Sequence, residues 1–180
     1  MKKFLRPEYM AAGLALLLLV AMTFLASGAA VPLHRGRLSP NDYRFAVDAA
    51  RGNTMEVELG RLAVKKTGDP RVKQFGEEMI RDHELDNEEL ANVLSENGAT
   101  MPNNLTYAQQ AEVNRLSRLF GSEFDRQYMA LMIREHLKYL TDYNEAALGA
   151  NSPDLRTFAG KTARVVQYDL NMVEAFQKGR

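Results

Sequence analysis

Residues 64–75 read Val64-Lys65-Lys66-Thr67-Gly68-Asp69-Pro70-Arg71-Val72-Lys73-Gln74-Phe75, and the punctuation inside them decides the fold. Gly68 stops one helix. Asp69-Pro70 starts the next, because an aspartate before the first turn accepts from free amides and a proline in the first helical position sacrifices no hydrogen bond. With so short a turn, the two flanking helices must fold back as an antiparallel hairpin. Upstream, Ser39-Pro40 with Asp42 repeats the start signal, and Phe45, Ala49, Gly52, Met55, Leu59, Leu62 and Lys66 recur at three- and four-residue spacing as one stripe. Downstream, Val72, Phe75, Met79, His83, Asp86, Leu90 and Leu94 carry the second helix to Asn97-Gly98.

A loop with Pro102 follows. Thr106 with Gln109 three residues later is a capping-box pattern that opens a shorter helix ending near Gly121. Ser122 with Asp125 opens a long helix on Phe124, Tyr128, Met132, Tyr139, Tyr143 and Ala147, which stops at Gly149. Ser152-Pro153 starts the last helix, striped by Leu155, Phe158, Thr162, Val165, Asp169, Met172 and Phe176. Asp69-Pro70-Arg71-Val72-Lys73 also matches Ser152-Pro153-Asp154-Leu155-Arg156 at an offset of 83 residues, either as a duplication or as two helices sharing a common start. No segment alternates like a strand. The order is hairpin, long connection, hairpin, so the expected fold is an all-α, ferritin-like four-helix bundle with a long helical crossover between two α-hairpins.

Composition narrows the function classes. The 180 residues hold 23 basic and 23 acidic side chains and no cysteine, which excludes disulfide scaffolds, zinc ribbons and thiol catalysis and favours no nucleic-acid partner. The amino terminus reads as an export signal: Lys2, Lys3 and Arg6 precede an uncharged run, Ala11 to Leu25, followed by Ser27-Gly28-Ala29-Ala30 with cleavage frames after Ala29 or Ala30. The rival reading is an uncleaved membrane anchor, since Met10 to Val31 lacks charge for 22 residues. The domains are then residues 1–30 as signal or anchor, 31–39 as tether with an idle His34, and 40–178 as the bundle. Cleavage leaves 20 basic and 22 acidic residues, a mildly acidic periplasmic or secreted domain.

The chain also resembles the bacterial family called domain of unknown function 4142, over about Asp42 to Phe176. The resemblance rests on Glu56-Val57-Glu58-Leu59-Gly60 with Ala63, on Val72-Lys73 with Phe75, and on Met79-Ile80-Arg81-Asp82-His83 with Asn87 and Leu90. Gly98, Pro102, Phe124-Asp125 with Tyr128, Met132-Ile133 with His136, and Phe158-Ala159 extend it. It implies an exported ferritin-like bundle without an established activity. Members often carry another His in the last helix where this chain has Asp169.

Helix arithmetic gathers one polar constellation. His83 lies about 14 residues beyond its turn and His136 about 15 before Asn151, so each sits roughly 21 Å from a bundle end, in one mid-bundle layer. Glu56 and Asp169 fall within about a turn of it. Two imidazoles and two carboxylates can hold a single Zn, Mn or Fe ion. They can also form a buried hydrogen-bonded layer in which each imidazole donates to a carboxylate, requiring no cofactor at all. A di-iron centre is excluded by spacing, because Ile80 and Ile133 stand where its Glu-x-x-His pairs need Glu. Beyond the amino-terminal signal six methionines remain, Met55, Met79, Met101, Met129, Met132 and Met172, spread over four helices and the loop, which reads as core packing rather than a copper site. Without a nucleophile or phosphate loop, the expected function is a non-catalytic envelope structural, stress or interaction bundle, and the alternative is a metal-binding or redox protein. Its expected partners are a second copy or an envelope protein, and the membrane only through an uncleaved amino terminus.

Overall fold

The computed structural model describes residues 37–178; the export segment, its cleavage frames and His34 lie outside the described residues. Five helices follow one another: α1 (Pro40–Lys66), α2 (Pro70–Glu96), α3 (Tyr107–Leu116), α4 (Gly121–Gly149) and α5 (Pro153–Lys178). The described residues contain no strand.

The start signals act as read. Ser39 Oγ accepts from the Asp42 amide at 3.1 Å, Asp69 Oδ1 accepts from the Arg71 amide at 2.9 Å, and Thr106 and Gln109 close a reciprocal capping box. Two boundaries differ. The crossover helix ends at Leu116, short of Gly121, and α4 begins at Gly121 after Phe120, so Ser122 is not its cap. Gly121 has φ +54°, the left-handed conformation that glycine adopts without strain. That turn lets the Phe120 ring meet the Lys66 ammonium 3.7 Å from its centroid, joining the start of α4 to the end of α1.

These contacts set the topology. α1 pairs with α2, and α4 with α5, as two antiparallel hairpins that meet through α1–α4 and α2–α5. Phe75 near the start of α2 faces Phe176 near the end of α5, while Asp42 at the start of α1 accepts from the amides of Asn151 and Ser152 before α5. Helix α2 therefore runs the same way as α4, across the crossover that carries α3 back along the bundle. This is the ferritin-like arrangement, with a single long connection.

Burial sorts the core into two apolar halves. One holds Phe75, Phe124, Tyr128 and Leu116; the other holds Leu90, Leu94, Tyr143 and Phe158. Every residue expected on the α2 stripe is buried. On α5 the stripe is turned: Val166, Leu170 and Val173 are buried, whereas Val165, Met172 and Phe176 are only partly so. Contact with both α4 and α2 gives α5 a wider buried arc than one stripe allows. Between α1 and α2 the backbones come close at Gly60 and Gly76, where a Cβ on Gly60 would stand 2.7 Å from the Gly76 carbonyl oxygen.

Candidate metal centre

Where the two apolar halves meet, each long helix contributes one polar group. Glu56 from α1, His136 from α4 and Asp169 from α5 are fully buried, and His83 from α2 is 2% exposed. The helical spacing alone brings this about, since each residue sits on the same stripe as neighbours that are core. The His83 and His136 rings lie 6.2 Å apart between centroids, with planes at 76°. His136 Nε2 stands 4.0 Å from Asp169 Oδ2, too far for a direct hydrogen bond.

Both imidazoles are held from behind. His136 Nδ1 donates to the Met132 carbonyl at 2.8 Å, one turn back on its own helix. His83 Nδ1 donates at 3.2 Å to Asn53 Oδ1, which also accepts from the Tyr143 hydroxyl at 3.3 Å. With Nδ1 carrying the proton, Nε2 of each ring keeps its lone pair. Neither Nε2 has a hydrogen-bond partner, nor does either oxygen of Glu56 or Asp169, nor the Tyr128 hydroxyl. The layer in which each imidazole donates to a carboxylate is therefore not what forms: the donors point outward, to an amide and a carbonyl, and the carboxylates stay unpaired.

Burial controls the charge state. It pushes His83 down to about 3, with His136 adding to the shift, and His136 down to about 4 against the pull of its Met132 hydrogen bond. It pushes Glu56 well above the usual carboxylate range, helped by Glu135 and Asp169, and lifts Asp169 to about 7, helped by Asp82 and Glu78. A buried carboxylate without a cation is costly, so in the metal-free protein the layer tends to neutrality. Among the described residues no three His, Asp or Glu side chains converge closely enough to hold a metal ion as they stand.

Sequence reading placed all four of these residues and missed three others. Asn53 lies one turn before Glu56 on the same face of α1, a signal that was available in the spacing. Tyr128 carries its hydroxyl into the layer, where Glu56 and Asp169 raise its ionisation further above normal after burial itself. Tyr139 is affected in the same way, by burial first and then by Glu56 and Glu135.

Solved structures share this fold at low identity. A DUF305 fragment from Deinococcus radiodurans matches with a TM-score of 0.72 and 16% identity, over 80% of this chain and 99% of that one. A candidate secreted DUF305 protein from Streptomyces coelicolor matches at 0.64 and 16%, over 74% and 89%. CopM in its Cu(I)-bound form matches at 0.66 and 15%, over 77% and 96%. None of the curated proteins matches the sequence. The model of the domain of unknown function DUF4142 matches residues 28–176, nearly the whole bundle, and the chain belongs to that family.

Proposed function

We propose that the protein is an exported, non-catalytic bundle whose mid-bundle layer binds one first-row transition-metal ion, anchored by His83 and His136 with Glu56 and Asp169 supplying charge. The observation that carries this reading is the pair of unpartnered Nε2 atoms, each fixed in its tautomer by a hydrogen bond from Nδ1 to Asn53 or Met132. Such outer partners are how ligating histidines are oriented. Two ionised carboxylates and two neutral imidazoles would balance a divalent ion, replacing the protons that burial otherwise favours. Export is supported by the basic, apolar and small-residue sequence of residues 2–30, and no helix among the described residues is long and apolar enough to cross a membrane. That CopM is known in Cu(I)-bound and Cu(II)-bound forms puts copper among the ions to try.

A second reading is favoured because, among the described residues, no three hard ligands converge: a neutral layer with a purely structural role in an envelope, stress or interaction protein. Metal linkage separates the two. Full-length protein titrated with zinc should bind one ion per chain and gain about 2.7 kcal/mol at a hundredfold excess over the dissociation constant. The gain, read as a rise in melting temperature, should reverse with chelator and vanish in His83→Ala and His136→Ala. An unchanged melting temperature with zinc, manganese, iron and copper alike would leave the structural reading in place.

A further inference from the structure

Glu56, His136 and Asp169 are fully buried and His83 is 2% exposed, so an ion reaches them only past a side chain that moves. One cleft leads to such a side chain. It lies between the first half of α1 and the second half of α4, has a volume of about 500 Å³, and is floored by Tyr139 and Tyr143, both nearly buried. Both tyrosines back onto the layer. The Tyr139 ring stands 6.4 Å from the His136 ring between centroids, and the Tyr143 hydroxyl donates to the Asn53 oxygen that also holds His83. On its α1 side the Tyr139 ring rests on Gly52, where a Cβ would stand 3.1 Å from Cζ and Oη, so no side chain pins it there.

Resting on the metal-binding reading above, we infer that this cleft is the entrance by which a divalent cation reaches the layer, with Tyr139 as the side chain that swings into the open cleft to admit it to His136. The charge at the cleft suits a cation. Asp42, Asp48, Asp142 and Glu145 line it against Arg44 and Lys138, and a surplus of carboxylates in a concave surface raises the local cation concentration. The chain's own ammonium already marks the way: Lys138 Nζ pairs with Asp142 Oδ2 at 2.5 Å and stands 5.5 Å from the Tyr139 ring centroid, so a cation rests at the outer side of that ring. On the inner side waits the His136 ring, whose Nε2 has no partner. The groove between α2 and α5 is less suited, because Lys161 and Arg164 balance its Asp82 and Asp86.

The test is stopped-flow mixing of the full-length chain with zinc, manganese, iron(II) and copper(II) in turn, with association read by tyrosine fluorescence and dissociation by transfer to a metallochromic chelator. Tyr139→Ala should raise both rates together at least tenfold while affinity changes less than threefold. Tyr168→Ala, the same truncation at the α2–α5 groove, should change neither rate by more than twofold. Asp48→Asn with Glu145→Gln alters two exposed residues and leaves the core intact, so it keeps the test open if Tyr139→Ala does not fold. That pair should slow association at least threefold and weaken its salt dependence, with dissociation unchanged. Rates that the cleft variants leave at wild-type values, rates that Tyr168→Ala changes instead, or a loss of affinity in Tyr139→Ala with unchanged association would overturn the entrance and leave the metal reading standing. A wild type that binds none of the four ions would overturn both.

Discussion

At the residue scale, the polar side chains do different work according to what their helix places opposite them. Asn53 is the hinge of the layer, since its carbonyl oxygen collects both the His83 and the Tyr143 protons. Its place on the inner face, one turn before Glu56, was legible from spacing; its role was not, because an Asn there reads like any other amide until other helices supply the donors. Asp86, one turn beyond His83, is a buried acid outside the layer. Burial pushes its carboxyl up from 3.8 to about 6, with Lys161 opposing and Glu89 and Asp82 adding. A folded-state value above the unfolded one means that folding favours the protonated acid. The stability contributed is whole below about pH 4 and is lost as pH rises through about 6. Asp86→Asn should therefore flatten the dependence of the urea midpoint on pH between those limits, compared with wild type. Parallel pH profiles for the two proteins would show that another group titrates.

At the element scale, helix positions are local and helix spacing is not. The caps at Ser39, Asp69 and Thr106 were legible because capping involves residues within three of each other. The close approach of α1 and α2 was not, although both glycines stood in plain view. Gly76 faces Ala63 and the Gly60 carbonyl, and a Cβ on Gly76 would lie 2.8 Å from the Ala63 Cβ. Gly60→Ala should cost about 1 to 3 kcal/mol by forcing the helices apart. Gly149→Ala, with nothing within 4 Å of the added methyl, should instead gain about 0.5 to 1 kcal/mol from the stiffer unfolded chain. Denaturant midpoints of the two variants check the opposite signs, and equal shifts would refute the packing account. The offset of 83 residues seen at the helix starts also pairs Asn53 with His136 and Asp86 with Asp169, all four buried. The two hairpins thus carry buried polar groups at equivalent positions, each counted from its own turn.

At the scale of the whole molecule, the proposed export of the chain is testable separately from the bundle. If the small residues after Leu25 direct cleavage, intact mass of protein recovered from the envelope should correspond to a start at Ala30 or Val31; a full-length mass in the membrane fraction would establish the anchor instead. The sequence by itself determined the helices, their order, the hairpin at Gly68-Asp69-Pro70 and the height of His83, His136, Glu56 and Asp169 in the bundle. Those follow from period, caps and a fixed rise per residue, all of them short-range. Only the tertiary structure decided which atoms meet. The direction of the His83 proton, the approach of the two imidazole rings and the isolation of the carboxylates depend on side chains from α1, α2, α4 and α5 packing together, residues far apart along the chain. Periodicity tells which face a residue occupies, and close packing alone tells what stands across from it.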